Sequence, residues 1–206
     1  MNKIYLSATV VSEKEYSHEV IGEKFYSFYV STARTSGTDD VVKCVASELY
    51  VKDVVVGNKL RITGEIRTHN QVINDKRTLD IFVFVTNSPL VLEETDMYVT
   101  NSAVIEGYVV KKTPVRKTPF GRVIVDLIVA VNRPYGKSDY LPVICWGRTA
   151  HRAESFNIGD NIKLDGRLQS RVYQKKLSDG NYIEKTAYEF SVKTAEKIGE
   201  SNIKEN

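Results

Sequence analysis

Short segments typical of β-strands dominate the chain. Leu60-Arg-Ile-Thr-Gly64 and Ile162-Lys-Leu-Asp-Gly166 alternate apolar and polar residues, whereas residues 25–31 and 123–130 are rich in β-branched and aromatic side chains. Both patterns are typical of strands in a partly buried sheet. Polar loops are expected between them, at residues 35–40, 70–77, 134–139 and 175–181. The pattern therefore predicts an all-β protein.

One segment has helical spacing instead. Between residues 148 and 156 the apolar residues Ala150, Ala153 and Phe156 recur every three positions, and Gly159 follows as a stop signal. We expect a short helix there, after three strands and before two more. Three strands, a short helix and two strands is the element order of the OB-fold, a five-stranded Greek-key barrel.

The chain also repeats itself. Gly57 and Gly64 stand seven residues apart, as do Gly159 and Gly166 at an offset of 102, while the segments that begin at Asn2 and Asn101 align at an offset of 99. A unit of about 100 residues used twice indicates a domain duplication. Gly64 and Gly166, inside strands, fit sharp barrel bends.

The sequence thus predicts two tandem OB-fold five-stranded Greek-key barrels, all-β with one short helix per domain. A diverged N-terminal domain is expected at residues 1–86 and a second domain at residues 101–198. Residues 87–100, with Pro89, Glu93, Glu94 and Asp96, are typical of a linker, and residues 199–206 form a short tail.

The two halves of the chain differ in their balance of charged residues. Residues 1–100 contain 11 Lys and Arg against 14 Asp and Glu, and residues 101–206 contain 18 against 12. A local positive field attracts polyanions whatever fold carries it. The second half is therefore the candidate for contact with a nucleic acid.

Catalysis has little support in the sequence. His18, His69 and His151 lack metal-ligand spacing, and the two cysteines, Cys44 and Cys145, lie in apolar runs that favour buried, reduced thiols. The carboxylates Asp126, Asp165, Glu184 and Glu189 are spread along several strands, as ordinary surface residues are. We expect no enzymatic activity, no cofactor and no metal.

No apolar run reaches the roughly 18 residues that a membrane-spanning helix needs. The first residues also lack the basic and apolar regions of a secretory signal. The expected location is therefore cytoplasmic, with no membrane contact.

Four segments of the second copy occur in the order and spacing of one known family. They are residues 101–107 (NSAVIEG), residues 118–121 (TPFG), residues 130–135 (AVNRPY), and residues 145–150 (CWGRTA) running on to Gly166-Arg-Leu-Gln-Ser-Arg-Val-Tyr173. Over about residues 101–198 the chain resembles the bacterial and phage single-stranded-DNA-binding (SSB) family. The first copy looks like a diverged relative.

That resemblance implies a set of residues that bind DNA. Binding of single strands without sequence preference needs aromatic faces for the bases and cations for the phosphates. By similarity, four aromatic positions and the cations beside them are the candidates: Trp146, Tyr173, Tyr135, Tyr140, Arg133, Lys137, Arg148, Arg171, Lys175 and Lys176.

The first copy departs from this set. Ser47, Gln71 and His69 stand about where the second copy has Trp146, Tyr173 and Arg171. Its own aromatics crowd residues 25–29, where packing against the core is the more ordinary role. We expect the N-terminal domain to be chiefly structural, with weak DNA contact.

The resemblance implies a non-enzymatic protein that binds and protects single-stranded DNA in replication, recombination and repair. Family members usually present four OB domains together, so a homodimer of this two-domain chain is implied. The acidic C-terminal tail by which many members recruit replication or repair proteins is not seen in residues 197–206. A primosome-type adaptor that acts mainly through protein contacts is the alternative, and RNA binding stays open.

Overall fold

The structure is a computed structural model that describes residues 1–34, 36–73, 76–93, 101–176 and 180–199. Glu94 and Asp96 of the predicted linker, Thr35 and the predicted tail beyond Gly199 lie outside the described residues. No helix in the described part of the chain has the length and apolar character needed to cross a lipid bilayer.

The first half forms a closed barrel. Its strands are β1 (Asn2–Val10), β2 (Glu15–Val20), β3 (Glu23–Ala33), β4 (Asp39–Ser47), β5 (Lys59–Ile73), β6 (Lys76–Val85) and β7 (Leu90–Val91). Strand β1 pairs with β3 and β5, β3 pairs with β4, and β5 pairs with β6. The parallel pairing of β4 with β6, at Cys44 and Val83, closes the ring.

The second half repeats this topology. Its elements are β8 (Asn101–Lys112), β9 (Arg116–Lys117), β10 (Val123–Asn132), β11 (Ser138–Trp146), α1 (Arg148–Glu154), β12 (Asn161–Lys176) and β13 (Tyr182–Gly199). The ring runs β8, β10, β11, β13, β12 and back to β8, and β11 and β13 are again parallel, at Val143 and Phe190. Two five-stranded barrels with this connectivity confirm the predicted tandem OB-folds.

Alternate side chains of the strands that close the two rings fill the barrel interiors. Phe28, Phe190 and Phe156 are among the largest fully buried side chains, and α1 buries Ala150 and Ala153 against the second core. The residues of the predicted apolar helix face, Ala150, Ala153 and Phe156, are therefore core residues as expected. Phe156 lies just beyond the end of the helix. Cys44 and Cys145 are free and buried.

The expectation of one helix in each domain was wrong for the first copy. Among its described residues only a 3-10 turn, Glu48–Tyr50, connects β4 to β5, with the Ser47 hydroxyl accepting a hydrogen bond from the Leu49 amide. The offset between the copies grows from 99 to 102 across this connection, so the first copy is three residues shorter there. Because an α-helical turn takes 3.6 residues, the shortening removes about one turn.

Two predicted loops are hairpins instead. Strands β5 and β12 run on to Ile73 and Lys176, so most of residues 70–77 and the first part of residues 175–181 are strand. The polar composition of residues 171–176 misled the interpretation, because this part of β12 is exposed to solvent. Regular cross-strand pairs such as Tyr173 with Lys185 satisfy the backbone there.

The glycines at the predicted bends lie against neighbouring backbone. A Cβ on Gly64 would lie 2.4 Å from the Phe84 carbonyl oxygen, and one on Gly166 would lie 2.2 Å from that of Ser191. No other residue can approach this closely, which confirms the interpretation of both positions. Gly107, in β8, has the same relation to a carbonyl of β10.

The two barrels share one continuous hydrogen-bonded sheet. The first part of β1 pairs with the first part of β8 in antiparallel register, from Asn2 with Ile105 to Leu6 with Asn101. The segment expected as a linker begins on the first barrel, since Leu90 and Val91 pair with β5 and Leu92 is buried.

Candidate nucleic-acid interface

A cleft of about 790 Å³ lies on the outside of the second barrel and contains Trp146. We call it the Trp146 cleft. Its lining residues come from strands β9 to β13 and the β9–β10 turn of the second barrel, and from one turn of the first: Arg34, Ser36, Arg116, Thr118, Arg122, Ile124, Asp126, Ile144, Trp146, Arg167, Gln169, Arg171, Glu189 and Ser191.

Strand pairing places the tryptophan at the centre of this surface. Trp146 ends β11 and pairs with Ile124 on β10, whose neighbour Asp126 pairs with Ile144. Ile124 and Ile144 are buried, whereas Trp146 is half-buried. A half-buried indole in an open cleft is suited to stack against a planar base.

The walls of the cleft are cationic. Among the described residues, five arginines and two carboxylates line it. Arg116 is paired with Asp126, at 2.7 Å. Glu189 accepts a hydrogen bond from the side-chain amide nitrogen Nε2 of Gln169. Arg167 and Arg171 share one face of β12 with Gln169, because side chains two residues apart point to the same side of a strand. The surplus of positive charge suits a chain of phosphates.

One of these arginines comes from the first barrel. Arg34 donates to the buried carboxylate of Asp40 through Nε, at 2.9 Å, and to the carbonyl oxygen of Ser170 through Nη2, at 2.6 Å. The Ser170 amide donates to the same carboxylate, at 2.7 Å. The hydrogen bond to Asp40 is the main cause that raises the pKa of Arg34 above its ordinary value. The Trp146 cleft is thus completed by the N-terminal domain.

An equivalent contact, in which the second barrel supplies the arginine and the aspartate, lies at the other junction with the first barrel. Asp139 is fully buried, and its Oδ1 accepts hydrogen bonds from Arg133 Nη2, at 2.7 Å, and from the amide of Thr68, at 2.5 Å. Arg133 also donates to the carbonyl oxygen of Thr68, at 3.2 Å. Each barrel therefore inserts an arginine–aspartate pair against the other barrel's long strand.

A second cleft, of about 530 Å³, lies on the first barrel at the position equivalent to the Trp146 cleft. We call it the His69 cleft. Its charged and aromatic lining residues are His18, Lys43, His69, Asp80, Phe82, Arg133 and Lys137. Lys43 is neutralised by Asp80, at 2.7 Å. Two of the predicted DNA contacts, Arg133 and Lys137, thus lie in this cleft and not in the other.

The β12–β13 hairpin extends the wall of the Trp146 cleft. Tyr173 lies on the same face as Arg171, whose guanidinium is 5.9 Å from the tyrosine ring centre, and Lys175 follows on that face. Lys176 faces the other side, 6.0 Å from the ring of Tyr182. The hairpin therefore offers an exposed aromatic and cationic strip.

The remaining predicted residues lie outside the Trp146 cleft. Tyr135 is 99% exposed in the turn between β10 and β11, with a positive φ of 64°. Tyr140 is exposed on β11, and its amide donates to the Thr68 hydroxyl at the junction of the barrels. Arg148 is exposed at the start of α1. Their DNA-binding roles stay predictions, as do those of the other seven predicted residues.

Sequence reasoning missed four arginines of the Trp146 cleft. Arg116 and Arg122 flank the TPFG segment and Arg167 follows Gly166, so motif neighbours carried a usable signal. Arg34 is the repeat equivalent of the predicted contact Arg133, but only the packing of the two barrels brings it to this cleft.

A metal centre finds no support in the described part of the chain. No three His, Cys, Asp or Glu side chains come close enough there to hold an ion. His151 instead lies 3.0 Å from Glu154 on the exposed face of α1, and the ring of His18 stacks on Phe25.

Comparison with known proteins identifies the class of the second domain. Residues 100–198 match the Single-strand binding protein family, and this domain belongs to that family. Single-stranded DNA-binding protein 2 of Streptococcus agalactiae is 33% identical over 82 residues, which cover 36% of this chain and 63% of that protein. Single-stranded DNA-binding protein A of Bacillus subtilis is 28% identical over 90 residues, 40% of this chain and 52% of that protein.

The chain thus spans less than two thirds of the curated relatives that it matches. A solved structure extends the likeness to both barrels. The single-stranded DNA binding protein from Thermus aquaticus aligns with 100% of this chain and 97% of its own, with a TM-score of 0.74 and 15% sequence identity. At that identity the match establishes the shared two-barrel fold.

Proposed function

We propose that this chain binds single-stranded DNA without catalysis and largely without sequence preference. The observation that carries the proposal is the Trp146 cleft, in which one half-buried indole lies among five arginines of the described chain. Neutral stacking faces hold bases of any sequence, and arginines hold the phosphates between them. Such coating would protect single strands in replication, recombination and repair.

The path of the strand follows from the positions of these groups. A base stacks on Trp146, and phosphates contact Arg167 and Arg171 along β12. The strand continues over Tyr173 and Lys175 on the β12–β13 hairpin, where the second stacking face lies. Each stacked base contributes roughly 1–3 kcal/mol of binding free energy.

The domains divide this work unequally. We propose that residues 101–198 carry most of the affinity and that residues 1–86 complete the cleft through Arg34. The His69 cleft contains the cations Arg133 and Lys137, but its third cation, Lys43, is neutralised by Asp80. Ser47 stands where the second barrel has Trp146. The His69 cleft therefore contacts the strand more weakly.

The assembly is proposed to be a homodimer that presents four barrels to one strand in the cytoplasm. Pairing of two copies about a twofold axis is the commonest closed assembly. Size-exclusion chromatography with light scattering should give twice the chain mass of 23.3 kDa. A single chain mass at micromolar concentration would contradict it.

Fluorescence anisotropy of a labelled dT oligonucleotide tests the function. We expect saturable binding that unlabelled single strands of any sequence displace and that a duplex of equal length displaces poorly. An RNA of the same sequence measures any preference for the sugar. Absence of binding at low salt would overturn the proposal and favour an adaptor that acts through protein contacts.

A further inference from the structure

An aromatic ring protrudes from the turn between β9 and β10. Phe120 is 93% exposed at the tip of this turn. The turn is closed by three hydrogen bonds, because the Thr118 amide donates to the Arg122 carbonyl, the Gly121 amide donates to the Thr118 carbonyl, and the Arg122 amide donates to the Thr118 hydroxyl. Gly121 has the positive φ, 75°, that this tight turn needs. The backbone therefore holds the ring out in water in a defined place.

The turn rises directly from the Trp146 cleft. Ile124 pairs with Arg116 on one side and with Trp146 on the other, so β9 and β11 flank the same strand. Arg116 and Arg122, on either side of Phe120 in sequence, both line the cleft. The exposed ring thus stands between two cations at the end of the cleft wall.

The first barrel supplies a natural comparison. Ile21 occupies the position 99 residues earlier, at the tip of the β2–β3 hairpin, and is completely exposed ahead of Gly22. At the same offset, Glu23 stands where the second copy has Arg122, and Ser17 stands where it has Arg116. Both tips expose an apolar side chain, but only the second offers a planar ring and positive charge.

We propose that Phe120 is a further stacking residue, on which a base packs where the single strand leaves the Trp146 cleft. Arg122 then contacts a phosphate beside that base, while Arg116 is held by Asp126. This extends the binding site along the turn, and it rests on the proposed function. A solvated ring of this kind has a π-face for any base and adds affinity without sequence preference.

Length-dependent binding tests this role. Phe120→Ala and Phe120→Ile should each weaken binding of a dT oligonucleotide of about 16 nucleotides by about fivefold or more, whereas Phe120→Tyr should retain it. The shortest oligonucleotides, of about 4 nucleotides, should lose little, because they fill only the cleft. The salt dependence should not change, since no charge is removed. Ile21→Ala is the matched control and should bind as the unaltered chain does.

A spectroscopic reporter gives an independent reading. In the double variant Trp146→Phe, Phe120→Trp the new indole should be quenched by single strands and unaffected by duplex. Equal binding by Phe120→Ala and the unaltered chain would overturn the proposal, and so would full retention of affinity by Phe120→Ile. If the unaltered chain does not bind single strands at all, the proposed function itself is overturned.

Discussion

Ile4 in β1 pairs with Ala103 in β8, and the two residues occupy the same position in the two copies of the repeat. An antiparallel pair of equivalent residues lies on a twofold axis, so the barrels are related by internal pseudo-symmetry. The contacts between barrels obey it, since Asn2 exchanges two hydrogen bonds with the backbone of Ile66 and Asn101 does so with that of Leu168. One chain thus has the symmetry of a dimer.

The buried carboxylates at this junction should be important for stability. Asp139→Ala would leave the Thr68 amide without its acceptor and Arg133 without its counter-ion. Removal of one partner from a buried ion pair costs about 3–5 kcal/mol. We expect a decrease of that size in the free energy of unfolding, measured by urea denaturation.

The exposed ion pair of Arg116 and Asp126 in the Trp146 cleft is the control for the urea denaturation of Asp139→Ala. Asp126→Asn breaks only the Arg116 ion pair, which is largely solvated, so stability should change by no more than about 1 kcal/mol. Equal decreases in the free energy of unfolding for Asp139→Ala and Asp126→Asn would show that the buried pair at the junction contributes no more stability than an exposed pair.

Asp126→Asn should also tighten DNA binding. The substitution removes one of the two carboxylates that line the Trp146 cleft and frees Arg116 for a phosphate. Affinity for a dT oligonucleotide should rise and its salt dependence should steepen, as seen in anisotropy titrations at several salt concentrations. Weaker binding would mean that Asp126 holds Arg116 in the binding geometry.

Arginines on β12 should set the salt dependence. Each phosphate contact to a single strand contributes about −0.7 to the slope of log affinity against log salt concentration. Arg167→Gln or Arg171→Gln should therefore flatten the slope by about that amount. Lys52→Gln, exposed on the first barrel away from both clefts, should leave it unchanged. Identical slopes for all three variants would place the phosphates elsewhere.

Buried thiols should make the protein less stable in alkali. Burial raises the pKa of Cys145 to about 12, and that of Cys44 also rises, for the same reason. The unfolded chain loses these protons near pH 8.5 and the folded chain retains them, so the folded state is favoured less as pH increases above that value. Each thiol should lower the free energy of unfolding by about 1.4 kcal/mol per pH unit there.

Comparison with a variant that lacks Cys145 isolates the contribution of that thiol. Cys145→Ala should show a smaller decline between pH 9 and pH 10 than the unaltered chain in urea titrations. An identical decline in both proteins would mean that Cys145 ionises as readily in the folded state as in the unfolded one.

The sequence predicted most of the fold because its signals were local. Gly64 and Gly166 marked the places where backbone strands approach within contact, and Ala150 with Ala153 marked the buried helix face. The missing helix of the first copy was also visible, as a change of offset from 99 to 102. The hairpin at Lys175 was missed because polar strands exposed on both faces have the composition of loops.

The site was less predictable because it is built across the two barrels. Trp146 and Arg171 were predicted as DNA contacts from motif and charge, and the structure brings both into one cleft, while their contact with DNA stays a prediction. Arg133 was placed with them, but it is tied to Asp139 and Thr68 on the opposite side. Arg34 reaches the cleft only because β1 pairs with β8, a long-range contact that no local pattern encodes.

The intrinsic fluorescence of Trp146 tests the central claim most directly, because it is the chain's one tryptophan. Titration with a dT single strand should quench it in a saturable manner, at the same concentrations at which a labelled strand gains anisotropy, while duplex of equal length should not. Binding of the labelled strand with no change in Trp146 fluorescence would contradict the stacking site. Absence of both signals would contradict single-strand binding altogether.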